Sequence, residues 1–243
     1  MIELFAPAKL TLSLRVTGVR DDGYHLIDAE MVSLDFGDTL EVDPTGDGLV
    51  VERDGLERTG DADDLVARAL RRVDRRAGVR LHKVVPAGAG LGGGSADAAA
   101  ILRWAGVIDL SVAVELGADV AFCLLGGRAR VGGIGEVIEP RQHVPRTFTL
   151  LTPPLHCSTP AVYRRWDELG GPSGEHGNDL EPAAVDLVPD LLRWRDELWS
   201  ATGRRPRLAG SGSTWFVEGA HPGDGRVVAR ALSASESVAG RRS

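Results

Sequence analysis

The sequence predicts a mixed α+β fold that divides near residues 141–145. Three features carry that expectation. Leu10, Leu12, Leu14 and Val16 alternate with Lys9, Thr11, Ser13 and Arg15, the pattern of a half-buried strand. Five glycines fall in the seven positions from Gly88 to Gly94 and run straight into the alanine-rich stretch Ala96, Ala98, Ala99 and Ala100. No regular alternation of strand and helix runs through the chain, and the pattern restarts beyond Pro140 and Pro145.

In chain order, residues 2–5 form a short strand, Pro7 interrupts it, and residues 9–16 form the alternating strand. Residues 17–24 are a turn-rich loop with Asp21, Asp22 and Gly23 at the reversal. Tyr24 and His25 leave that loop toward a strand over 29–34. Asp35, Phe36 and Gly37 spell a kinase metal-binding triplet without its companion motifs, so 36–38 is expected to be a turn. Strands follow over 39–42 and 48–52. Asp61, Asp63 and Asp64 are N-cap candidates for a helix over 65–77, with Leu65, Val66, Ala69, Leu70 and Val73 as its apolar face and Gly78 as its stop. A strand over 79–85 leads into the glycine loop, and Ser95 is expected to cap the helix that runs from there to about Trp104. A brief helix follows Asp109, and residues 128–131 and 135–139 form a hairpin. The second half reads as a strand over 147–151, a helix over 161–169, a loop over 170–177 and a helix over 187–202. Strands over 207–209 and 215–217 then flank a Gly-Ser loop at 210–214, before a last helix over 226–233.

Composition narrows function. The 243 residues are 43% hydrophobic and carry a net charge of −7, so no global basic field invites nucleic acid. Cys123 and Cys157 are the only cysteines, which suits a reducing compartment better than a disulfide framework. No apolar run approaches membrane-spanning length and the first residues lack a signal pattern, so a cytoplasmic protein is expected. The histidines show no metal-ligand spacing.

The glycine-rich stretch, from Pro86 and Ala87 through Gly88, Ala89, Gly90, Leu91, Gly92, Gly93 and Gly94 to Ser95 and Ala96, is the strongest chemical signal. Glycine adopts positive φ without penalty, and a loop entering a helix N-terminus presents free N–H groups to an anion. It is a candidate phosphate loop. The P-loop pattern fails because Gly94, not lysine, follows Gly93. The dinucleotide pattern G-x-G-x-x-G fits Gly88, Gly90 and Gly93, with Asp109 near the distance of a ribose-binding acid; a flexible linker is the third reading. Asp119, bracketed by small and apolar residues, is either a partly buried carboxylate with a task or a helix N-cap. Taken alone, Lys9 reads as a solvated strand lysine and Tyr24–His25 as a surface pair.

Several motifs occur in one order: Ala6-Pro7-Ala8-Lys9-Leu10, Asp22-Gly23-Tyr24-His25, the glycine loop, Leu116-Gly117-Ala118-Asp119-Val120 and Gly210-Ser211-Gly212-Ser213. Together they resemble the GHMP kinase superfamily over nearly the whole chain. The resemblance implies two lobes, an N-terminal ATP-binding lobe of ribosomal-S5 type over 1–143 and a ferredoxin-like lobe over 144–243. It implies ATP-dependent phosphorylation of the tertiary C2 hydroxyl of a cytidine-diphosphate methylerythritol, a step of non-mevalonate isoprenoid biosynthesis, with ATP and Mg²⁺ as cofactors. On this resemblance Asp119 is the general base and Lys9 its partner, and residues 86–96 with Asp64 hold ATP. Tyr24 stacks on the cytosine and His25 hydrogen-bonds to it. Tyr163 covers the other face of the base, and Thr11, Thr159, Gly210, Ser211 and Gly212 lie beside the substrate. Ser95 is the loop hydroxyl left for Mg²⁺ or phosphate. Thr11, Asp64, Ala96 and Ala121 depart from the family pattern. A sibling kinase with another acceptor and a nucleotide-binding homologue without turnover stand as the other readings.

Overall fold

A computed structural model describes residues 1–239. Two sheets organise it. The first holds β1 (Ile2–Val19), β2 (His25–Asp43), β3 (Leu49–Arg53), β4 (Leu56–Thr59), β5 (Gly78–His82), β6 (Arg128–Gly133) and β7 (Val137–Arg141). Its order is β4-β3-β5-β2-β6-β7, with β1 also paired to β2. The second holds β8 (Thr147–Leu151), β9 (Arg207–Leu208), β10 (Trp215–Glu218) and β11 (Arg226–Arg230) in the order β11-β8-β10-β9. The helices are α1 (Leu65–Arg72), α2 (Gly93–Trp104), α3 (Leu110–Val114), α4 (Ala118–Leu125), α5 (Thr159–Glu168), α6 (Glu181–Leu187), α7 (Leu191–Thr202) and α8 (Ala234–Ala239). The α+β class and its two-lobed form are those the sequence predicts.

Pro7 does not break the first strand. β1 pairs with β2 along its length and absorbs Pro7 at a register shift between Pro7 and Lys9, where a missing N–H is tolerated. Gly37 faces Pro7; a Cβ there would lie 2.2 Å from the Ala6 carbonyl oxygen, so only glycine fits. Residues 36–38 are strand rather than turn because Gly37 and Asp38 pair with Pro7 and Ala6 of β1. A second shift between Thr11 and Ser13 reverses the alternation again. Ala6 and Leu14 therefore join the main core, which includes α2 and α4, while Ala8, Leu10 and Leu12 enter a second core. The strand is thus buried on both faces over its middle, not half-buried as its alternation suggests.

That second core forms where the two sheets meet. Leu10, Val32 and Leu34 pack there with Phe148, Leu150 and Phe216, and the glycine loop contributes Ala89 and Leu91. Burial of this apolar surface is the main attraction between the sheets. Asn178 adds a polar clamp. It is buried, and its amide nitrogen donates to the Leu208 and Gly210 carbonyls at 2.9 and 2.7 Å. Its carbonyl oxygen accepts from Leu180 N–H at 3.0 Å. Beside it, Leu14 N–H donates to Gly177 and Asp179 N–H donates back to Leu14.

Other local expectations change. The helix after the glycine loop begins at Gly93 with Gly92 as N-cap, so Ser95 lies inside its first turn. The helix expected over 65–77 ends at Arg72, and the one expected over 187–202 starts only at Leu191, past Pro189, with a separate helix α6 ending at Leu187 before it. The segment expected as a final helix is strand β11, because Val227 to Arg230 find hydrogen-bonding partners on β8. β4 was not foreseen, although Asp54 and Gly55, both at positive φ, form the tight turn that Asp-Gly favours.

Replacing Asn178 by alanine leaves two carbonyls and one N–H unpaired in a buried site. The expected loss is roughly 3 kcal/mol of unfolding free energy. Urea denaturation should show a lower midpoint with an unchanged slope.

Candidate functional site

A cleft of about 910 Å³ opens beside the glycine loop. Its wall takes residues from both halves of the chain: Lys9 and Thr11 of β1, the loop from Pro86 to Ser95, Asp119 of α4, Thr159 and Tyr163 of α5, and Gly210 and Ser211.

The loop is a backbone cradle. Gly88, Gly90 and Gly92 have φ of 71°, 76° and 67°, the left-handed region that glycine alone enters freely. Close packing enforces the choice: a Cβ on Gly90 would lie 2.4 Å from the Ala209 carbonyl oxygen, and one on Gly92 2.7 Å from Lys9 Cγ. Lys9 N–H donates to Leu91 and Thr214 N–H to Ala89, tying the loop to β1 and to the second sheet. The first helical bond of α2 runs from Ala96 N–H to Gly92, so the N–H groups of Gly93, Gly94 and Ser95 precede the helical ladder. They face the region where the helix dipole favours an anion.

Lys9 and Asp119 meet across the cleft. Lys9 Nζ lies 3.2 Å from Asp119 Oδ2 and donates to Thr11 Oγ1 at 3.1 Å. The lysine side chain is 7% exposed and the carboxylate 34%, so the pair is anchored on one side and open on the other. Asp119 sits in the first turn of α4, where an acid suits the dipole, and Gly117 rather than Asp119 is the N-cap. Next to them, Thr159 Oγ1 and Ser211 Oγ share a hydrogen bond of 2.8 Å. Burial pushes the Tyr163 phenol up, and the Asp119 charge adds to the shift. Burial also pushes the Cys123 thiol up to about 12, followed by the same charge, so this free cysteine of α4 stays protonated.

At the far side, Asp64 lines the cleft and pairs with Arg58 at 3.0 Å. The β3–β4 hairpin supplies Arg53, Leu56 and Arg58 to this wall. Lys83 and Asp97 were not foreseen here. Lys83 Nζ lies 2.5 Å from Asp38 Oδ2 and 2.6 Å from Asp97 Oδ2, beneath the start of α2. Burial pushes the Asp97 carboxyl up to about 8; Lys83 pulls it back, and Asp38 pushes with the burial. Burial opposes the Lys83 charge, but the two carboxylates outweigh it and hold its pKa above the usual lysine range. The visible signal was Asp97 as the one acid of the alanine-rich α2.

Four expected site residues stand apart from the cleft wall. The Ala96 side chain is buried in the main core. Gly212 packs near the Cys157 sulfur. Tyr24 is 60% exposed, whereas His25 is held against Tyr163 with ring centroids 4.6 Å apart. Tyr163 and His25 thus already stack on each other. Outside the expected set, His156 packs on Gly88, where a Cβ would lie within 1.9 Å of its Nδ1. Among the described residues no group of three or more His, Cys, Asp or Glu side chains is arranged to hold a metal ion.

Residues 64–127 match the model of the GHMP kinases N terminal domain. The chain is 38% identical over 264 residues to a 4-diphosphocytidyl-2-C-methyl-D-erythritol kinase of Ruegeria pomeroyi, covering 95% of this chain and 94% of that one. It is 39% identical over 235 residues to the kinase of the same name from Paracoccus denitrificans, covering 87% and 84%. A crystal structure of 4-(cytidine 5'-diphospho)-2C-methyl-D-erythritol kinase matches with a TM-score of 0.75 at 30% identity, over 95% of this chain and 99% of that one. A mevalonate kinase matches at 0.59 with 11% identity, a likeness of fold alone.

Asp97 gives a pH dependence with a definite sign. Its folded pKa is raised to about 8 from 3.8, so the folded state binds the extra proton between those values. Stability is full below about pH 4 and falls as pH rises toward 8, by at most about 1.4 kcal/mol per unit. Asp97→Asn removes this dependence. Denaturation between pH 5 and 8 should show the variant gaining stability relative to the parent as pH rises.

Proposed function

The chain belongs to the 4-diphosphocytidyl-2-C-methyl-D-erythritol kinases, ATP-dependent small-molecule kinases of the GHMP group, and on that premise we propose how its own residues carry the reaction. ATP phosphorylates the C2 hydroxyl of 4-diphosphocytidyl-2-C-methyl-D-erythritol. The observation that carries the assignment of roles is the Lys9–Asp119 pair, 3.2 Å apart in one cleft with the glycine loop.

A tertiary hydroxyl is a weak nucleophile. The Asp119 carboxylate takes its proton as the new P–O bond forms, and Lys9 fixes the direction of that carboxylate while Thr11 fixes the lysine. The exposed edge of the carboxylate is the one open to the hydroxyl. Lys9 also sets a positive charge beside the transferring group, where low dielectric strengthens it. The N–H groups at the start of α2 hold the ATP phosphates, and the wall around Asp64 and Arg58 receives the nucleoside. Thr159, Ser211 and Gly210 position the acceptor, with Tyr163, Tyr24 and His25 for its cytosine. Ser95 is the cleft hydroxyl near the phosphates that suits a hard cation. Ser95 would contribute a ligand to Mg²⁺, which would offset phosphate charge.

The division at 143/144 separates the two lobes, and the cell compartment is the cytoplasm, a placement supported by two unpaired buried cysteines. The partner is a small molecule; the charge of −7 disfavours nucleic acid.

Purified protein with Mg-ATP should consume ATP with 4-diphosphocytidyl-2-C-methyl-D-erythritol and not with mevalonate or homoserine. Turnover on either of the other two would reassign the acceptor, and silence on all three with ATP still bound would reduce the chain to a nucleotide binder. Asp119→Asn should lower kcat by ~10² or more while the ATP dissociation constant stays within a few-fold. Near-normal turnover in that variant removes Asp119 from the role of base.

A further inference from the structure

His25 opens β2, and its imidazole is fixed from three directions. Its ring lies over Tyr163 at 4.6 Å and 33°, and meets the Trp166 ring edge-on at 5.6 Å. Trp166 is itself held, its Nε1–H donating to the Pro172 carbonyl at 2.9 Å. The third contact is polar: His25 Nε2 lies 2.8 Å from Asp167 Oδ1. The imidazole is 9% exposed and Asp167 46%, so the carboxylate reaches in from the surface of α5. Among the described residues, the Asp167 side chain makes no other hydrogen bond, and His25 Nδ1 makes none.

A carboxylate has no proton to give, so the Nε2 side must donate. In the neutral ring this leaves Nδ1 as a lone-pair acceptor. An acceptor complements the exocyclic amine of cytosine, which is a donor. It opposes uracil, which offers a carbonyl oxygen at the same position, and two lone pairs facing each other are a penalty rather than a contact. We propose that Asp167 is a specificity-determining positioning residue. By fixing the His25 tautomer it makes the site accept a cytidylyl group and reject a uridylyl one. This rests on the functional reading above, in which His25 meets the base. Asp167 touches no substrate and acts only through the imidazole.

The test has two arms. In the first, kcat and KM are measured for the cytidylyl substrate and for its uridylyl counterpart, with the parent, Asp167→Ala and Asp167→Asn. The parent should prefer the cytidylyl substrate by ~10²-fold in kcat/KM. Asp167→Ala should raise its KM by ~10-fold, leave kcat and the KM for ATP within about twofold, and bring the preference below ~10-fold. Asp167→Asn keeps an oxygen acceptor and should restore both KM and preference to within about threefold. In the second arm, ¹⁵N NMR of histidine-labelled protein reads the tautomer without substrate, with His25→Gln to assign the signal. The parent and Asp167→Asn should show the Nε2–H form, and Asp167→Ala a mixture. An unchanged tautomer or an unchanged base preference in Asp167→Ala overturns the proposal. A parent that phosphorylates neither substrate overturns the functional reading, and the proposal with it.

Discussion

β1 has no free edge through its middle. One edge pairs with β2; on the other, Lys9 bonds to Leu91 of the glycine loop and Leu14 to Gly177 and Asp179. Its side chains serve two cores and the cleft at once. This shared strand is the constraint on which the site depends. A one-residue slip would send Lys9 and Thr11 into apolar surroundings and turn Leu10 toward the cleft. The two bulges on either side of residues 9–11 fix the register there, and with it the reach of Lys9 to Asp119. The Lys9–Asp119 pair thus takes its geometry from a scaffold buried on both sides, not from loops.

The chemistry was more legible in the sequence than its frame. Lys9, Asp119 and the glycine loop stand in short motifs whose local conformation is set by their own residues, and the structure brings them to one cleft. What could not be read depends on distant partners. The β-branched Val227 and Val228 favour a strand only weakly, and β8 beside them decides it. Asp97 looks like a helix-start acid; its burial over Lys83 and Asp38 follows from how α2 lies against β2 and β5. His25 and Tyr163 were both marked from the sequence, but their stacking on each other needs the fold. Ser95 is a fair cap by type, yet Gly92 takes that place because left-handed backbone is needed there.

Charge is handled locally. A chain of net charge −7 gathers Lys9, Arg53, Arg58 and Lys83 around one cleft. Three of these cations are already paired with buried or half-buried acids, Lys9 with Asp119, Arg58 with Asp64, and Lys83 with Asp38 and Asp97. Pairing lowers the cost of keeping charge in a dry site and holds each ammonium in a known direction. The same folded frame at 11–18% identity recurs in mevalonate and homoserine kinases, so acceptor choice rests on individual side chains rather than on architecture.

The last described elements return to the first lobe. Ala231 bridges to Leu34, Leu232 N–H donates to Ser33, and Gly127 N–H donates to Ser237 Oγ. A Cβ on Gly126 or Gly127 would collide with α8. β2 therefore completes its hydrogen bonding only with residues made long after it. The cover over Ser33 and Leu34 is a contact of high sequence separation, so its loop-closure cost falls late in folding.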